Sequence, residues 1–179
     1  MMSEQKQKAE YQVPLLSVVG VSNSGKSTLL VKLVKALKDR GYRVGVIKHS
    51  CGFEVDQPGK DSWGYQEVGA GPVVLAGPKQ MISFKSWETE LTPEEIVQSF
   101  DGVDLVLTEG YKLGKRPKIE VYRQQVSDDL ICKPEELLAV VSDTRRDWGI
   151  IPVFDLEDIA GLADFVENKF LSNAGPHKK

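Results

Sequence analysis

Cysteine is scarce: Cys51 and Cys132 are the two in 179 residues, too few for a disulfide framework. They read as reduced, intracellular thiols. A charge excess of one sign is lacking as well. Twenty-three Lys plus Arg against 26 Asp plus Glu leave a net −3, without the basic surplus that draws a protein to nucleic acid or an anionic membrane. No apolar run approaches the roughly 20 residues of a membrane span, and the start, MMSEQKQKAEYQ, is too charged for a signal-peptide core. These absences point to a cytoplasmic protein with neither nucleic acid nor membrane as partner. Histidine is equally scarce, and His49-Ser50-Cys51 has no second pair at zinc-ligand spacing, so His49 and Cys51 stay open between loop and functional roles. What remains, 41% apolar and 27% charged, is the composition of one globular domain that folds without disulfide or metal.

Polar, aperiodic tails are expected at 1–12 and 172–179, around one domain over 13–171. Within it, short apolar runs alternate with helical patterns. Leu15–Val19 reads as a strand buried on both faces. After Lys26, apolar residues at Leu29, Leu30, Leu33, Val34 and Leu37 form one helical stripe, ended by Gly41. Strands are expected at 42–47, 73–76, 81–84, 103–108, 118–121, 138–141 and 151–154. Thr92-Pro93-Glu94-Glu95 opens a helix running to about Phe100, and a last helix begins near Asp155. Such alternation implies an α/β fold, a three-layer sandwich with a mainly parallel sheet flanked by helices.

The strongest motif is Gly20-Val21-Ser22-Asn23-Ser24-Gly25-Lys26-Ser27, which fits G-x-x-x-x-G-K-[ST] between a strand and a helix. Glycines let the backbone wrap an anion with its N–H groups, so Gly20, Ser22, Asn23, Ser24, Gly25 and Thr28 are expected around a nucleoside triphosphate. Lys26 reaches the outer phosphates, and Ser27 supplies a hydroxyl to Mg²⁺. An acid must end a neighbouring strand to serve the same metal. Asp104 begins the apolar run 103–108 and sits at the wrong end, whereas Glu109 ends it and takes the catalytic and metal role. Lys48, His49, Asp56, Lys60 and Asp61 form a polar segment suited to a switch or a second anionic ligand. The usual guanine reader Asn-Lys-x-Asp is absent. In its place Asp143 either accepts from the guanine N1 and N2 groups or caps the turn into Thr144-Arg145-Arg146, and both readings stay open.

These residues resemble a known family. Gly20–Thr28, Lys48-His49, DQPGKDS at 56–62, Gly69-Ala70-Gly71, Thr108–Lys112, KIEVYR at 118–123, Val141-Ser142-Asp143 and Pro152–Asp155 are similar, in order, to the molybdopterin-guanine dinucleotide biosynthesis adaptor family (MobB). The likeness spans roughly 14–170. It implies a homodimeric, GTP-binding, weakly hydrolytic protein. Its partner would be the molybdenum cofactor guanylyltransferase, which joins GMP from GTP to molybdopterin. One departure stands out: Gly64 occupies a place near which the family usually carries a basic residue. The competing reading is a stand-alone ATP-dependent enzyme of the same branch, such as a dethiobiotin-synthetase-like ligase or a small-molecule kinase.

Overall fold

A computed structural model describes residues 13–50, 52 and 55–172. The expected tails lie outside the described residues except for Ser172, and so does Cys51. Contacts gather the chain into two compact units, one reaching to His49 and resuming at Pro93, the other Ser50–Thr92.

The larger unit is built on a six-stranded sheet. Its strands are β1 (Leu15–Val19), β2 (Val44–Lys48), β5 (Leu105–Glu109), β6 (Lys118–Tyr122), β7 (Leu137–Ser142) and β8 (Val153–Asp155), in the order β2-β5-β1-β6-β7-β8. Every pairing among them is parallel. Both faces of a parallel sheet need cover, and the strands read accordingly: β1 puts Leu16 and Val18 on one face and Ser17 and Val19 on the other, all buried. The first face packs on α1 (Lys26–Asp39) and α4 (Ile159–Val166), where Leu29, Leu30, Leu33 and Leu37 meet Leu162, Ala163 and Val166. Burying each such leucine stabilises the fold by roughly 1.5–3 kcal/mol. The second face is covered by the short helix α3 (Pro93–Val97) with Phe100, and by the chain around Cys132 and Trp148. The fold class is therefore the one expected, a mainly parallel α/β sheet flanked by helices.

Element ends differ from expectation in informative ways. Gly41, at φ +95°, follows α1 as anticipated. The last helix starts at Ile159 rather than near Asp155, because Asp158 is the residue that accepts from Gly161 N at its N-terminus. Asp155 instead closes β8 and accepts from Glu157 N in a tight turn. Phe170 lies in a π-helical turn, Glu167–Leu171, that continues α4. β2 and β5 run one residue later than expected, to Lys48 and Glu109, since parallel register carries the ladder past the apolar run.

The smaller unit holds α2 (Asp61–Glu67) and an antiparallel hairpin, β3 (Val73–Ala76) with β4 (Met81–Phe84). Helix α2 escapes sequence reading because its seven residues bury only Ser62 and show no apolar stripe.

Candidate functional site

In a parallel sheet every strand points its carboxyl end the same way, so the loops that follow the strands gather along one edge. Along that edge lie Gly20–Thr28 after β1, Lys48-His49 at β2, Glu109-Gly110 at β5, Arg123 after β6 and Asp143 after β7. Asp104 lies at the opposite edge, buried, accepting from Arg43 N at 2.7 Å and from its guanidinium at 3.3 Å. Glu109 thus lies at the edge where the loops gather, and Asp104 does not.

The glycine-rich loop is tight against β6. Gly20 has φ +141°, and a Cβ there would stand 2.4 Å from the Val121 carbonyl oxygen and 2.9 Å from Ser24 Oγ, so no other residue fits. Asn23 takes φ +62°, a left-handed conformation that asparagine tolerates better than most. Lys26 Nζ arches across the loop to the Val21 carbonyl at 2.6 Å. Burial lowers the Lys26 pKa, Glu109 opposes that shift, and Lys48 adds to it.

Ser27 Oγ lies 2.8 and 2.9 Å from the two Glu109 carboxylate oxygens, and Lys48 Nζ lies 3.4 Å from Oε1. A hydroxyl, a carboxylate and two ammonium groups therefore meet in one place. Ser22, Asn23, Gly25, Lys26, Ser27, Thr28 and Glu109 line a cavity of about 440 Å³, open to solvent and dominated by polar groups. That volume suits a ligand of nucleotide size.

The remaining expected residues divide. His49 N donates to the Glu109 carbonyl, and its ring packs on Tyr111 at 4.8 Å between centroids. Tyr111 itself takes φ +54°, unusual for a bulky residue, directly after Gly110. Gly110 permits close approach to a side chain: a Cβ there would press on His49 Cβ at 3.2 Å. Asp143 is exposed at the end of β7, and its Oδ1 accepts from Gln124 N at 3.1 Å. The turn beyond it is held by Ser142 Oγ, accepting from Thr144 N, and by Thr144 Oγ1, accepting from Arg146 N. That leaves Asp143 no capping duty in that turn. Asp56, Lys60 and Asp61 belong to the smaller unit. There Asp56 accepts from Gln57 N and Gln66 Nε2, while Lys60 and Asp61 start α2 and are exposed. Sequence reasoning missed Arg123, whose Nε donates to the Ser24 carbonyl at 3.0 Å; it stood at the end of the quoted KIEVYR run, but only the β1–β6 pairing reveals its neighbour.

Ser27 and Glu109 also answer whether the site suits a magnesium ion. Both offer hard oxygen donors side by side, and no group of three or more His, Cys, Asp or Glu with metal-site geometry exists among the described residues. Such a pair fits Mg²⁺, which is commonly held by one or two protein oxygens plus phosphates and water, and does not fit an all-protein cage.

Fold and site together define an α/β protein of the P-loop NTPase-like class. Residues 15–143 match the model of the family described as molybdopterin guanine dinucleotide synthesis protein B, MobB. A Haemophilus influenzae protein named molybdopterin-guanine dinucleotide biosynthesis adapter protein is 39% identical over 88% of this chain and 89% of its own length. Its Escherichia coli counterpart is 36% identical over 86% and 91%. Among solved structures, Bacillus subtilis MobB superposes with a TM-score of 0.72 at 24% identity, covering 89% of this chain and 99% of that one. A structure of molybdopterin-guanine biosynthesis protein B gives 0.62 at 31% identity, covering 86% and 97%. The chain belongs to the MobB family.

Proposed function

We propose that this protein is a GTP-binding adaptor in molybdopterin-guanine dinucleotide biosynthesis. It assists the guanylyltransferase that joins GMP to molybdopterin, and it is at most a slow GTPase. The observation that carries the reading is the meeting of Lys26, Ser27, Lys48 and Glu109 at the carboxyl edge of a parallel sheet. Gly25 and its neighbours present backbone N–H groups to the phosphates, and Lys26 exchanges the Val21 carbonyl for a phosphate oxygen. Ser27 and Glu109 are the residues that would hold Mg²⁺, which would supply charge neutralisation for the outer phosphates. Asp143 keeps Oδ2 available to accept from the guanine edge while Oδ1 stays on Gln124 N.

Slow hydrolysis follows from what lines the cavity. Among the described residues no arginine or glutamine lines it, and P-loop proteins lacking an arginine finger lose about 10³–10⁵ in rate. Arg146 is engaged elsewhere, on the Asp128 carbonyl, the Asp129 carboxylate and the Trp148 ring. Val74, Leu75, Met81 and Ile82 of the hairpin are exposed, which supports assembly as a homodimer. No described helix is long and apolar enough to cross a membrane.

The test is a titration of GTP against ATP with Mg²⁺, then cofactor synthesis by a guanylyltransferase with and without this protein. Tighter GTP binding, slow turnover alone and faster dinucleotide synthesis are expected. Preference for ATP with several turnovers per second unaided would establish the stand-alone enzyme instead.

A further inference from the structure

The Ser24–Gly25 peptide lies where the loop turns into α1. Gly25 sits at φ +100°, just after Asn23 at φ +62°, and it caps α1 without any side-chain hydrogen bond. A peptide flanked by glycine flips cheaply between two orientations. One presents the Gly25 N–H to the cavity and the other presents the Ser24 carbonyl, which repels an anion. Arg123 Nε binds that carbonyl at 3.0 Å, across 99 residues of sequence. Its guanidinium lies over Gly25, with Nε and Nη2 each 3.5 Å from where a Cβ would be. Gly25 lines the cavity and Arg123 does not.

We infer that Arg123 is a positioning residue for phosphate binding: it holds the Ser24 carbonyl outward so that the Gly25 N–H faces the anion. The described chain has no cis peptide bond, and a trans peptide points its C=O and N–H in opposite directions. Anchoring one therefore aims the other. The hydrogen bond is charge-assisted, stronger than a neutral one, and placed behind the loop where no ligand competes for it. Apparent affinity falls in proportion to the fraction of molecules whose loop is binding-competent, so a loop correctly set one-tenth of the time binds about tenfold more weakly. The inference rests on the nucleotide-binding reading above.

The experiment separates the hydrogen bond from the charge. In Arg123→Gln the amide nitrogen occupies the same position along the side chain as Nε, keeping the donor and losing the charge. Arg123→Met loses both. GTP and inorganic pyrophosphate are titrated into the full chain and both variants, with unliganded melting temperatures measured alongside. Arg123→Gln is expected within about threefold of the parent for both ligands, and Arg123→Met about tenfold weaker for both. Parent-like binding by Arg123→Met overturns the inference, and so does Arg123→Gln binding as weakly as Arg123→Met, which would make charge the cause. A second readout needs no ligand: the Gly25 amide resonance of the unliganded protein should keep its position in Arg123→Gln and move in Arg123→Met. If the parent binds neither GTP nor pyrophosphate, the nucleotide reading fails. The Gly25 resonance then still decides whether Arg123 sets the peptide, and an unmoved resonance in Arg123→Met refutes it.

Discussion

Replacing Glu109 by glutamine should tighten triphosphate binding without magnesium while weakening its dependence on magnesium. Three formal charges meet at the cavity: Lys26 and Lys48 are positive and Glu109 is negative. The carboxylate is mostly buried, at 14% exposure, and lies 3.4 Å from Lys48 Nζ, which is 63% exposed. Coulomb's law at that distance gives about 1 kcal/mol with the dielectric of water and about 5 kcal/mol at an effective value near 20. Exposure of Lys48 pushes the effective figure to the low end, roughly 1 kcal/mol or less. Glu109→Gln thus raises the local charge by one unit and releases Lys48 toward an anionic ligand. A gain of about 1 kcal/mol corresponds to roughly fivefold tighter GTP binding in EDTA. With excess Mg²⁺ the gain should vanish, because the variant has lost the carboxylate that holds the ion, and slow hydrolysis should fall further. The assay is a titration of GTP at fixed ionic strength, in EDTA and in millimolar Mg²⁺, for parent and variant. An unchanged or weaker affinity in EDTA would refute the electrostatic reasoning. An unchanged ratio between the two conditions would remove Glu109 from the metal.

The other predictions use separate parts of the molecule. Lys26→Ala should leave the melting temperature near that of the parent and cost GTP binding at least tenfold, since a charge-assisted hydrogen bond is worth about 1.5–3 kcal/mol; binding within twofold, by the same titration, would contradict the role of the loop. Asp143→Asn should weaken GTP more than ATP, because its carbonyl oxygen can still accept from Gln124 N while its amide turns a donor toward the guanine donors. Equal losses for both nucleotides would make Asp143 structural. Burial, with Glu120 beside it, pushes the Cys132 thiol up to about 11 from its ordinary 9. In a Cys51→Ser variant at pH 8, Cys132 should therefore carry about a hundredth of the thiolate of the unfolded chain and react slowly with a disulfide reagent. The folded-state value is raised, so its contribution to stability is complete below pH 9 and lost as pH rises toward 11, which urea unfolding at pH 8 and pH 10.5 would register.

What was legible in the sequence was local. The glycine-rich loop needs left-handed backbone at Gly20 and Gly25, and these glycines stand in the chain with the strand before them and the helix after them. The leucine stripe of α1, the apolar cores of β1, β5 and β7, and the hairpin Val73–Phe84 were likewise readable from period and punctuation. Helix α2 and the true start of α4 were not, because a seven-residue polar helix carries no stripe, and Asp155 and Asp158 compete for the same signal. Most of the site required the sheet. Ser27 meets Glu109 from 82 residues away, and Arg123 meets Ser24 from 99. Both meetings follow from β1 lying between β5 and β6 in parallel register, which no spacing along the chain encodes. Motif chemistry is short-range and was visible in the chain, as was Glu109 at the end of its apolar run, whereas its meeting with Ser27 and the arginine behind the loop were placed by strand order, a product of how the two apolar faces of the sheet found cover.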